Sequence, residues 1–293
     1  MLLTSSQVQS HSLMRAIPCC IFLSVLAGLT TFSSATVKAQ GNLLITPRRV
    51  VFEGNKRSEE LNLANTGKDT AKYNVSIVDY RMREDGSFLE ISQPDTGQKF
   101  AGKYLRFFPR AVVLAPNEAQ VVKIQVTKAN ELEPGEYRSH VYFRAVPDAK
   151  PLGEGEGKKD SSAISVRLVP IFGITIPVII RVGENSTKLM LSDLSFDQVN
   201  DTTPRLKLVL NRTGNMSVYG DLVVEHISPQ GKVTPAGSVK GIAVYTPNPL
   251  RRFQMDLDKT TGINYHTGKL QVVFSTQSDV RPVKLAETEL LLQ

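Results

Sequence analysis

The chain has 293 residues, a formal charge of +7 at pH 7, no tryptophan and two cysteines. Its basic residues stand as singles and pairs among acids (Arg48-Arg49, Lys158-Lys159, Arg251-Arg252); this is not the basic stripe that neutralises a run of phosphates, so nucleic acid is not an expected partner. Both cysteines, Cys19 and Cys20, fall early in the chain, so residues 40–293 have no thiol for a disulfide framework, thiol catalysis or a thiolate metal site.

In chain order, Arg15 precedes an apolar stretch, Ile17–Leu29, and a Ser/Thr-rich segment ending in Val37-Lys38-Ala39. This is the pattern of a secretory signal peptide over residues 1–39, cleaved near Ala39–Gln40. The apolar stretch is shorter than the ~18–20 residues of a membrane-spanning helix, and no later window reaches that length uninterrupted, so stable membrane insertion is not expected. The rest of the chain suffices for two domains of about 100–150 residues.

From residue 40 onward the hydrophobic signal has period two. Leu61, Leu63 and Asn65 alternate with polar residues, as do Tyr73, Val75 and Ile77, then Val122, Ile124 and Val126, then Tyr137, Val141 and Phe143. Turn residues punctuate these runs: Asn-Thr-Gly, Asp-Gly, Ala-Pro-Asn, Pro-Gly. Short strands at this spacing predict an all-β protein of antiparallel sandwiches. No apolar stripe of helical period is present, and Lys128–Leu132 is at most a short helical turn.

Downstream the pattern returns. Leu61-Asn62-Leu63-Ala64-Asn65-Thr66-Gly67 is matched by Leu208-Val209-Leu210-Asn211-Arg212-Thr213-Gly214, and Val113-Leu114-Ala115-Pro116-Asn117 by Val244-Tyr245-Thr246-Pro247-Asn248. Gly135-Glu136-Tyr137 leads to Val141 and Phe143 as Gly268-Lys269-Leu270 leads to Val272 and Phe274. The repeated order predicts two immunoglobulin-like β-sandwich domains in tandem, residues 40–182 and 183–293.

At the end of the first lies Ala163–Val182, dense in Ile and Val, preceded by the charged, Gly-rich stretch Asp148–Ser162. Pro170 and Pro177 cannot donate to a ladder and place this run at a sheet edge. An apolar edge is an aggregation hazard unless it is covered or used to pair with another chain. Asp148–Ser162 reads either as a mobile leader for that strand or as a surface insertion.

Enzymatic motifs are missing. His140, His226 and His266 are far apart, there is no HExxH or GxSxG, and Gly153–Gly157 is followed by no helix that could complete a phosphate loop. His140, between Ser139 and Val141, is expected to be an ordinary half-exposed strand residue. No cofactor and no metal site are expected.

Several segments together resemble the PapD-like periplasmic chaperones of pilus (fimbrial) assembly. Arg49-Val50-Val51-Phe52-Glu53-Gly54 is similar to that family's first strand, R-x-V-F-x-G. The LNLANTG segment is similar to its second strand and turn, and Val113-Leu114-Ala115-Pro116 to its L-x-P-G motif. Tyr137–Pro147 is similar to the strand that ends in an I-P-like corner, and Ala163–Val182 falls where the family keeps the last strand of its first domain. The resemblance is good over Leu43–Val182 and general beyond it.

The resemblance implies a mechanism, donor-strand complementation, in which an edge strand is lent to a pilus subunit that lacks one. The lending face would be Ile174, Ile176, Val178 and Ile180, or in an earlier register Ile164, Val166 and Leu168, with Pro170-Ile171 shifting the alternation. Arg49 matches the family's first basic anchor for the subunit's C-terminal carboxylate, a role to which a guanidinium is suited. The second anchor, normally a Lys, falls on Pro177, which cannot serve; Arg167 and Arg181 are the candidate substitutes. The implied partners are pilus or fimbrial subunits and an outer-membrane usher, the implied location is the periplasm, and the free edge leaves room for a self-capping dimer. The alternative is a secreted structural or adhesive sandwich protein, for which the sequons at Asn74, Asn185, Asn200, Asn211 and Asn215 would have meaning in a eukaryote.

Overall fold

A computed structural model describes residues 42–147, 171–200, 203–259, 262–278 and 280–292. The first eleven strands are β1 (Leu43–Thr46), β2 (Val50–Phe52), β3 (Ser58–Asn65), β4 (Ala71–Val78), β5 (Tyr80–Met82), β6 (Phe88–Glu90), β7 (Leu105–Phe108), β8 (Ala111–Leu114), β9 (Ala119–Val126), β10 (Gly135–Ala145) and β11 (Gly173–Val182). The remaining seven are β12 (Lys188–Val199), β13 (Thr203–Thr213), β14 (Val218–Ile227), β15 (Val233–Val244), β16 (Leu250–Asp256), β17 (Lys269–Thr276) and β18 (Lys284–Leu291).

They form two sandwiches. The first packs a sheet of order β1-β3-β9-β7 against one of order β2-β11-β10-β4-β8, with β5 and β6 as a separate hairpin. The second packs β12-β13-β16 against β15-β14-β17-β18. The period-two runs explain the layers: Leu61, Leu63, Tyr73, Val75, Val122, Ile124, Val141 and Phe143 share one buried cluster, while their neighbours Asn62, Asn74 and Lys123 are exposed. A second cluster is built around Leu206, Leu208, Leu210, Leu222, Val224, Val272 and Phe274.

The internal repeat appears as topology. β4 lies between β8 and β10 as β14 lies between β15 and β17, and β3 pairs with β9 as β13 pairs with β16. Asn65 shows why the turn segment has its composition. Its buried amide donates to the carbonyls of Asp69 (2.8 Å) and Leu114 (3.0 Å), and its oxygen accepts from the Gly67 N–H (2.9 Å). One side chain thereby ties the end of β3 to the end of β8. A 3-10 turn at Ala129–Glu131 lies within the segment expected to be helical, and a second spans Gly102–Tyr104.

β11 runs antiparallel to β10 along its whole length, but among the described residues its other edge is covered, by β2 in parallel, only at Val178–Ile180. The edge position expected from Pro177 therefore holds for one half of the strand. The Phe172 carbonyl accepts from the Ala145 N–H at 2.9 Å. By the two-residue alternation of a strand, the backbone groups of Gly173, Thr175 and Pro177 then point away from β10. The N–H that Pro177 lacks would have faced this open side, which is why a proline is tolerated in mid-strand.

Phe143 is fully buried in the first core, where truncation leaves a cavity. Phe143→Ala is expected to destabilise the protein by about 3–5 kcal/mol, read as a lower urea midpoint at unchanged slope.

Candidate functional site

The outward face of the β2-β11-β10 region carries alternating residues that do not enter the first core: Arg49 and Val51 before and on β2, Ile179 and Arg181 on β11, and Glu136, Arg138 and His140 on β10. Here the second sandwich docks. Ile179, Met82, Ala243 and Tyr245 form an apolar cluster against which Val51 and Tyr219 pack. The β5–β6 hairpin clamps it from one side: Asn248 Nδ2 donates to the Met82 carbonyl (2.8 Å) and the Arg252 N–H to the Glu84 carbonyl (2.7 Å).

Beside this cluster is a buried ionic knot. The Glu136 carboxylate is wholly inaccessible; it accepts from Arg181 Nε (3.0 Å), from the Ser217 N–H (3.0 Å) and from the Ser217 hydroxyl. Arg181 also donates to Glu53 (2.7 Å) and to the Ser217 carbonyl (2.8 Å). Burial works against the Arg181 charge, but Glu136 and Glu53 outweigh it and hold its pKa above the ordinary value. All three of its nitrogens are engaged, so Arg181 acts as an inter-sandwich strut.

Arg138 and His140 are both buried, a correction to the half-exposed position expected for His140. The hairpin covers them, with Tyr80 and Phe88 edge-on to the His140 ring at 5.0 and 5.7 Å. The Arg138 guanidinium lies 4.4 Å from the Tyr245 ring centroid and donates to the Tyr80 carbonyl (3.1 Å). Arg138 Nε and Nη1 and His140 Nδ1 have no partner among the described residues. Burial, then the charges of Arg138 and Arg49, push the His140 pKa down to about 3.

Arg49 is the half-exposed member of this basic group. It stands immediately before β2 and lines a cleft of about 420 Å³ between the sandwiches, with Val51, Arg181, Tyr219, Thr276 and Glu53, whose carboxylate is taken by Arg181. Its Nη1 donates to the Tyr245 hydroxyl at 2.9 Å, and its guanidinium lies 4.2 Å from the Tyr219 ring centroid. Among the described residues no carboxylate pairs with it. Because Val50 is opposite Val178 in the parallel register, Arg49 stands where the β11 edge changes from covered to open.

The candidate strand residues separate. Ile176, Val178 and Ile180 are buried in the first core and Ile174 packs against it. These four side chains fill the protein's own sandwich, because the inward face of β11 has nowhere else to point. Ile171 is exposed. Ile164, Val166, Leu168 and Arg167 lie outside the described residues. What β11 leaves open, among the described residues, is backbone from Gly173 to Pro177. Sequence reasoning missed Glu136, Arg138, Ser217, Tyr219 and Tyr245, whose positions depend on how the sandwiches dock; a polar outer stripe on β10 was the only local signal. Among the described residues no group of His, Asp and Glu is arranged to hold a metal, and no helix is long and apolar enough to cross a membrane.

Glu136→Ala takes the main counter-charge from the partly buried Arg181 guanidinium, which keeps Glu53, and is expected to cost about 1.5–3 kcal/mol, measured by urea unfolding. His140 makes a second expectation. Its unfolded pKa is near 6.5 and its folded value is lower, so its contribution to stability is complete above about pH 6.5. That contribution is lost as pH falls toward 3, by up to about 1.4 kcal/mol per pH unit. His140→Gln is expected to flatten this segment of the pH–stability curve.

No family model matches the chain and no curated protein matches it. Solved structures of chaperones are similar to it. The YadV chaperone is 15% identical with a TM-score of 0.43, over 86% of this chain and 100% of that one. The class 5 fimbriae chaperone CfaA is 14% identical with a TM-score of 0.40, over 86% and 99%. The CupB2 chaperone of Pseudomonas aeruginosa is 15% identical with a TM-score of 0.40, over 85% and 100%.

Proposed function

We propose that this protein is a periplasmic chaperone that captures incompletely folded pilus-type subunits by lending them a β-strand edge and gripping their C-terminal carboxylate. The observation that carries the reading is the placement of Arg49 at the end of the open β11 edge. A chain laid along Gly173–Pro177 parallel to β11 runs toward the start of β2 and finishes there. Its terminal carboxylate then meets a guanidinium that has no carboxylate partner among the described residues, and guanidinium and carboxylate match in charge and in paired hydrogen-bond geometry.

The backbone supplies the affinity along the edge. Gly173 and Thr175 turn their N–H and C=O groups outward, and a strand added there satisfies them. On this reading the apolar side chains offered to the client come from the segment before β11, where Ile164, Val166 and Leu168 alternate, because Ile174–Ile180 are committed inward. Arg167 is the candidate second anchor. Release proceeds by strand exchange with the next subunit, at an outer-membrane usher, and neither cofactor nor ATP enters. Without a client, two copies can cover each other's edge.

Two variants test the reading in a pull-down from the native periplasm. Arg49→Ala is expected to fold and to lose the co-purifying subunit. Thr175→Pro removes one outward N–H without touching the bonds to β10, and is expected to weaken capture by about tenfold. Unchanged capture by both would sink the reading, and recovery of polymers of the chain itself would favour a structural sandwich protein.

A further inference from the structure

We infer that Tyr219, on the second sandwich, is the positioning residue for Arg49: its ring is a platform that fixes the guanidinium in the cleft, so that an anchor on one sandwich is set by the other. The inference rests on the proposed role of Arg49 as a carboxylate receptor and adds what holds that receptor in place.

Arg49 lies just before β2, outside the ladder, and an arginine there would ordinarily sweep through many rotamers. Two residues restrain it, and both come from the second sandwich. The Tyr245 hydroxyl accepts one N–H at 2.9 Å, with its ring centroid 5.4 Å from the guanidinium carbon, and the Tyr219 ring centroid lies nearer, at 4.2 Å. A cation on the face of a phenol ring is held by the ring quadrupole without using its N–H donors. The platform therefore orients Arg49 and leaves the other N–H groups for a ligand in the cleft. An ion pair would orient it as well, but would neutralise it.

The platform is itself built. Tyr219 is the second residue of β14, and the β14–β15 ladder shifts register between Gly220 and Leu222. The shift is held by the Asp221 carboxylate, which accepts the Gly241 N–H at 2.8 Å. Gly241 has φ +74°, and a Cβ there would sit 3.0 Å from the Tyr219 hydroxyl oxygen. Glycine at this position thus serves both the left-handed backbone and the space the phenol occupies. Tyr245 belongs to the buried interface cluster, whereas Tyr219 packs at its margin and lines the cleft, so Tyr219 can be changed with less disturbance of the docking.

The test uses the full-length secreted protein and a labelled peptide of alternating Val and Thr, prepared with a free C-terminal carboxylate and as the C-terminal amide, with binding read by fluorescence anisotropy. Wild type is expected to prefer the carboxylate, and Arg49→Ala to abolish the preference. Tyr219→Leu is expected to reduce it by about tenfold, while Tyr219→Phe retains it because the ring face remains. Side-chain NMR gives a readout independent of any client: the Arg49 Hδ and Nε–H signals should show a larger ring-current shift in wild type and Tyr219→Phe than in Tyr219→Leu, where only the Tyr245 ring, 5.4 Å from the guanidinium carbon, remains. If Tyr219→Leu keeps both the full preference and the shift, the positioning role is overturned while the Arg49 reading stands. If wild type shows no preference, or Arg49→Ala retains it, the anchor reading falls and this inference falls with it.

Discussion

The buried carboxylate of Glu136 is the constraint on which the arrangement of the two sandwiches depends. An ionised group removed from water has to be met by charge and by hydrogen bonds on every side. Glu136 finds these only when Arg181 lies beside it and the Ser217 backbone and hydroxyl close over it from the second sandwich. An apolar interface tolerates sliding; a carboxylate with designated donors does not. Whatever its net energy, the knot selects one docking of the sandwiches. The position of Tyr219 and Tyr245 over Arg49 follows from that choice.

β11 shows how much a single strand can carry when its two faces and two edges are used separately. Its inward face, Ile174 to Ile180, completes the first core. Its outward face supplies Ile179 to the interface and Arg181 to the ionic knot. One edge is fully paired with β10; the other is paired with β2 at its far end and, among the described residues, open at its near end. Proline at the boundary is consistent with all of this, since the missing N–H falls on the open edge and the ring does not interrupt the bonds to β10.

The basic group beneath the hairpin is the costly part of the structure. Arg138 and His140 are buried with nitrogens that no described residue meets, the imidazole kept neutral by burial and by the charges of Arg138 and Arg49 beside it. Aromatic faces take over part of what carboxylates do elsewhere: Tyr245 for Arg138, and Tyr219 for Arg49. The result is a cleft in which the Arg49 guanidinium is accessible and has no carboxylate partner among the described residues, while that of Arg138 is walled off behind the hairpin.

What the sequence determined by itself was whatever depends on neighbours a few residues away. Period-two runs such as Leu61-Leu63 and Val122-Ile124 specify strands and their buried face, because a pleated strand alternates sides with every residue. The Asn65-Thr66-Gly67 turn and its counterpart at Asn211 announced two copies of one topology. Pro177 marked an open edge because a missing N–H is a local fact. Tertiary structure decided the rest. It turned the Ile174–Ile180 face into the protein's own core, since the opposing sheet supplies the partners. It buried His140, because a hairpin from elsewhere in the chain folds over it. It also committed Arg181 to Glu136 while leaving Arg49 accessible. Two arginines on neighbouring strands read alike in sequence; their roles diverge because a second sandwich brings a buried carboxylate's donors to one and aromatic rings to the other.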